Sequence, residues 1–124
     1  MTYNVDRVGA LLLGVYWMVR NDLSSMRVWF WQRIVTPHMT ELVSALAHQG
    51  CDVTYVAEQP MSAERAEQGW AVPCLPGVRL ELAQTANKIS ALVASAPGDS
   101  IHICQGLRGN GFVGRAQAEL KVRG

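Results

Sequence analysis

The sequence predicts an α/β domain in which a parallel sheet is flanked by helices. Three observations carry this expectation. The stretch from Met26 to Glu58 runs strand, loop, helix, tight turn, strand. A helix between two strands implies parallel pairing with a right-handed crossover. Strand-like and helical hydrophobic periods then alternate to the end of the chain.

Each element has a local cause. Arg27 to Arg33 is short, aromatic and β-branched (Val28, Trp29, Phe30, Trp31), which suits a buried strand. Thr36 is a good N-cap, and Pro37 fits the first helical position, where its missing N–H costs nothing. Met39, Leu42, Val43, Leu46 and Ala47 then make one apolar stripe, and Gly50 ends the helix where a left-handed residue is wanted. Val53 to Ala57 is the next strand. Ser62 can cap a short helix from Ala63 to Gln68 that Gly69 closes, and Pro73 and Pro76 punctuate the loop that follows. Val78, Leu80 and Leu82 alternate with Arg79 and Glu81, as in a strand near an edge. Ala86, Ile89, Leu92, Val93 and Ala96 repeat at helical spacing until Pro97-Gly98-Asp99 stops them. Ile101 to Cys104 is a strand, and Val113, Ala116 and Leu120 mark a last helix.

The resulting order, β-α-β-(α)-β-α-β-α, is that of a Rossmann-like parallel sheet of about four strands. Doubly wound domains usually carry more, and a sheet that stops after its fourth strand leaves an uncovered edge. Residues 26–124 are therefore expected to be the incomplete, front part of a larger domain. Residues 1–25 differ in character. Val8 to Val19 is an apolar run of twelve residues between Arg7 and Arg20, shorter than the ~17 needed to span a bilayer. It reads as an apolar helix packed on the domain, as an extension upstream of a start at Met26, or as a membrane or export segment. Arg20 and Asp22 stand where a cleavage region would need small neutral residues.

Bulk properties narrow the function classes. The chain has 124 residues, 49% of them apolar and 17% charged, as in a globular domain. A net charge of +1 makes no case for nucleic acid. Cys51, Cys74 and Cys104 contain no C-x-x-C pair, which argues against a zinc site; their odd number favours reduced thiols and a cytoplasmic location, with peripheral membrane association through the apolar run as the other option. No cofactor or metal is expected.

Candidate site residues gather at strand ends. His38 stands in the first turn of the first helix, just past a strand end, where ligands of α/β sheets bind and where an imidazole can accept a hydrogen bond. Gln32 and Arg33 share that strand-end loop, and Gln105 and Arg108 follow the last strand. His102 and Cys104 share a strand face, but neighbours at this spacing are too far apart for a nucleophile pair, so they read as packing. Gly109-Asn110-Gly111-Phe112-Val113-Gly114 matches G-x-G-x-x-G. It follows the fourth strand rather than the first, and no acidic ribose ligand can follow at the required distance, so it reads as a loop at a helix start. No complete catalytic constellation is present, and the catalytic residues stay unknown.

The segments RVWFWQRIVTPHMTELVSALAHQGCDVTYVAE, SAERAEQGW and IHICQGLRGNGFVGRAQAEL resemble the N-terminal domain of GT-B glycosyltransferases, in the family-four-like group that builds surface polysaccharides and glycoconjugates. The resemblance covers Met26 to Gly124. It implies a domain that binds the acceptor, lined by Gln32, His38, Gln105 and Arg108. In that family a C-terminal domain holds the nucleotide sugar through basic residues and a spaced pair of glutamates, none of which this sequence contains. Val35-Thr36-Pro37 stands where the family often carries a glycine pair, so donor phosphate contact does not transfer to this loop. The resemblance thus implies nucleotide sugar and acceptor glycan as partners only together with a missing C-terminal domain, and no transferase activity from this chain alone. Two alternatives stand beside it: a non-catalytic α/β module that binds a ligand or partner, and a nucleotide-dependent oxidoreductase fragment built on the Gly109–Gly114 loop.

Overall fold

A computed structural model describes residues 2–5, 26–105 and 111–123. In chain order the elements are β1 (Thr2–Val5), β2 (Arg27–Gln32), α1 (Pro37–His48), β3 (Asp52–Ala57), α2 (Ala63–Glu67), β4 (Val78–Leu82), α3 (Ala86–Ser95), β5 (Ile101–Gln105) and α4 (Gly111–Arg123). All strands are parallel, in the order β1-β5-β2-β3-β4. The α/β, Rossmann-like class expected from the sequence is the class observed.

β2 is the centre. Five of its six residues, Val28 to Gln32, are buried, which happens only when both faces of a strand are covered. Val28 and Phe30 face α1 and pack with Met39, Val43, Leu46, Val53 and Tyr55. Trp29 and Trp31 face the other way and pack with Ile89, Val93, Cys104, Phe112 and Ala116 from α3, β5 and α4. From β2 the chain first steps outward through β3 to β4, with α1 on one face. It then crosses back through α3 to place β5 on the opposite side of β2. A right-handed crossover in the reverse direction must run over the opposite face, which is why α3 covers the tryptophans, and α4 packs beside it there.

The helix signals act as expected. Pro37 opens α1 and Gly50 follows it at φ 100, left-handed. Ser62 Oγ accepts from Arg65 N, and Thr85 Oγ1 accepts from Lys88 N, capping α2 and α3. Thr36 differs: it occupies the N-cap of α1, but its side chain makes no cap hydrogen bond.

The sheet edge is where expectation and structure part. β5 is not an edge. Thr2–Val5 pairs along its outer side, from Thr2↔His102 to Val5↔Gln105. Four residues so far from the rest of the sheet carry too little periodicity to be read as a strand, and only the open hydrogen-bonding side of β5 gives them a place. The apolar run from Val8 to Val19 lies outside the described residues. No helix among the described residues is long and apolar enough to cross a membrane.

Phe30 is fully buried, and its ring lies 6.4 Å from that of Tyr55. Phe30→Ala leaves a cavity under α1 and should cost about 3–5 kcal/mol. Urea unfolding followed by circular dichroism measures this.

Candidate functional site

The reversal of direction at β2 makes a topological switch point. There the loop after β2 leads into α1 on one face while α4 packs on the opposite face, and the carboxyl ends of strands at such a point are where α/β sheets bind ligands in a crevice. The last β2–β5 register pair is Trp31↔Cys104, so the backbones of Gln32 and Gln105 come next, at the carboxyl ends of the two neighbouring strands. Residues 33–36 form one wall and lead directly into α1.

The wall is held from below. Tyr55 lies on β3 with its ring fully buried. A buried tyrosine must place its hydroxyl, and Oη donates to the carbonyl oxygen of Ile34 at 2.8 Å. The Gln32 amide lies 3.1 Å away at Oε1. Oη thus faces two acceptors with one proton, which serves the shorter contact to Ile34 O, while the Gln32 side-chain nitrogen is buried with no hydrogen-bond partner among the described residues. Burial pushes the Tyr55 phenol above its ordinary pKa, so it remains a donor. The loop also receives backbone support: Val35 N donates to Pro60 O, and the N–H groups of Glu58 and Gln59 donate to Arg33 O.

The sequence-predicted residues thus separate. Gln32 is 4% exposed and is a support under the loop rather than part of its surface. Arg33 and His38 are exposed, one after β2 and the other in the first turn of α1, and form the polar rim. Gln105 ends β5, while Arg108 lies outside the described residues. Tyr55 was not singled out by sequence reasoning; the available signal was a hydroxyl-bearing ring in the middle of a buried strand.

A second recess of about 190 Å³ opens on the α3–α4 face, lined by Glu58, Gln84, Thr85, Arg115 and neighbouring residues. Its carboxylate and guanidinium are of opposite sign, and the Thr85 hydroxyl is committed to its cap. In α4, Gly111 and Gly114 have open space where a side chain would begin. Gly114 therefore does not serve the close helix–sheet approach required of the last glycine in a dinucleotide fingerprint. Gly109 and Asn110 lie outside the described residues. Among the described residues no group of three potential metal ligands occurs.

His102 and Cys104 are both buried on the tryptophan face, as the strand period implies. Trp31 Nε1 donates to His102 Nδ1 at 3.0 Å, which places the imidazole proton on Nε2. Burial above all lowers the His102 pKa to about 4, and the positive charge of Arg123 acts in the same direction. Burial pushes the Cys104 thiol up to about 12, and it raises that of Cys51. Neither buried thiol is a nucleophile near neutrality.

Two outcomes follow. The folded-state pKa of His102 lies below its ordinary 6.5, so neutral His102 contributes about 3 kcal/mol above pH 6.5, and this is lost as pH falls from 6.5 toward 4. The urea midpoint should drop across that window, and His102→Gln, which keeps an acceptor for Trp31 but does not titrate, should flatten the slope. Tyr55→Phe strands Ile34 O and should cost about 1–3 kcal/mol, with faster amide hydrogen exchange confined to residues 33–36.

No protein-family model, curated protein or solved structure matches this chain.

Proposed function

We propose that this chain is the acceptor-side domain of a GT-B glycosyltransferase of the family-four-like group, working with a donor-binding domain outside the sequence given. The observation that supports the reading is the topological switch point at the carboxyl ends of β2 and β5, with a short, braced loop after β2 and exposed Arg33 and His38 beside it. An acceptor is a polyhydroxyl compound, and such a surface offers it charged and imidazole partners at low ordering cost, because Tyr55 and Pro60 already hold the loop. The resembling segments run through this wall and through β5. In this reading a sugar passes from a nucleoside diphosphate sugar to an acceptor hydroxyl in the cytoplasm. Stabilising the leaving diphosphate dominates the barrier and falls to the donor-binding partner domain.

One observation favours a second reading, a non-catalytic α/β binding module. β1 closes the sheet beside β5, so the side on which incompleteness was expected already has its strand.

Two-dimensional amide NMR with graded additions of simple glycans and, separately, of nucleoside diphosphate sugars discriminates these readings. The transferase reading expects glycan-induced shifts at residues 33–38 and Gln105, weakened by His38→Ala, no comparable effect of the nucleotide sugar, and no turnover by the 124 residues in a coupled transferase assay. Glycan shifts confined to other surfaces, or turnover by this chain alone, would sink it.

A further inference from the structure

The strand β4 is the outer member of the sheet; among the described residues no strand lies beyond it. Its backbone orientation follows from one bond. Ala83 N donates to Ala57 O, so residues 79, 81 and 83 turn their N–H and C=O groups toward β3. Residues 78, 80 and 82 therefore turn theirs outward. Val78 N is occupied by Leu75 O, which leaves Leu80 and Leu82 presenting ladder groups that no other strand among the described residues pairs, an arrangement that invites another strand.

The side chains of β4 say which strand fits. Val78, Leu80 and Leu82 lie on the α1 face, and Leu80 and Leu82 are each 38% exposed. Arg79 and Glu81 lie on the opposite face. The order Val-Arg-Leu-Glu-Leu is complementary to itself when read backwards. In an antiparallel pairing centred on Leu80, Arg79 of one copy faces Glu81 of the other, twice, and the apolar stripe of one meets that of the other. The backbone agrees with this register. Leu80 opposite Leu80 is then a hydrogen-bonded pair, since both present N–H and C=O outward. The flanking Arg79–Glu81 pairs are non-hydrogen-bonded pairs, in which side chains stand closest. Among the described residues these two charges have distant ion-pair partners, Asp52 for Arg79 and Lys88 for the half-buried Glu81, each at 4.0 Å.

We propose that β4 is a homodimerisation edge, where a second copy of this chain adds antiparallel about a two-fold axis through Leu80 and joins the two sheets into one. The interface is isologous and closes on itself, so it gives dimers rather than fibres. Its small span makes it a reversible, concentration-dependent contact.

Sedimentation velocity over a concentration series of the full chain tests this. The wild type should pass reversibly from monomer to dimer. Arg79→Glu alone, or Glu81→Arg alone, places like charges opposite each other on both sides of the axis and should weaken the dimer about tenfold. The double reversal R79E/E81R should restore it. Leu80→Pro removes an outward N–H without taking a bond from β3, and should give a monomer with an unchanged circular dichroism spectrum. A wild type that stays monomeric throughout the series overturns the proposal. So do single reversals that dimerise as well as the wild type, or a double reversal that remains folded yet does not recover.

Discussion

Everything in this domain depends on burying β2 on both faces. A strand that carries Val28, Trp29, Phe30 and Trp31 in succession has no face to offer to solvent. Helices must therefore lie on both sides of it, and the chain must change direction at it to supply them. α1 covers Val28 and Phe30 on the way out; α3 and α4 cover Trp29 and Trp31 on the way back. Because the change of direction happens at β2, the candidate site lies at the end of β2. The packing requirement and the position of the candidate site are one constraint.

The same burial creates a few polar demands that the fold must answer internally. Trp31 carries an N–H into a dry layer, and His102 on the neighbouring strand accepts it. Tyr55 carries a hydroxyl to the edge of the opposite layer, and Ile34 O accepts it. The first answer yields a neutral histidine whose role is packing. The second yields a braced loop. Histidines of the same chain thus take opposite parts: His102 is locked in the core, while His38 stands free of it in the first turn of α1.

The two outer strands show how edges are managed. At one end β1 is drawn in from the start of the chain and covers β5. At the other end β4 is bounded by alternating charge and a half-exposed apolar stripe. Mixed charge of that kind lets an edge discriminate among partners, admitting a register that pairs opposite signs and repelling others.

Much of the fold was legible in the sequence because its causes are local. Pro37, Gly50, Ser62 and Thr85 start or stop helices through contacts with residues a few positions away, and the β2 to β3 unit is written in consecutive hydrophobic periods. The Arg33–His38 loop could be placed at a strand end for the same reason. What the sequence could not settle depends on residues far apart in the chain. The place of Thr2–Val5 beside β5 is set by hydrogen-bonding capacity that exists only once the sheet has formed. The sequence places Gln32 at the same strand end without showing that Tyr55 meets it there and that it is buried, because what surrounds a strand-end side chain depends on what the next strand brings beneath it. The sequence by itself determined the α/β class, the helix limits and the strand on which the domain is centred. Only the tertiary structure decided which polar groups of that strand end are consumed in holding the loop and which remain on its surface, since long-range pairing leaves no period in a sequence.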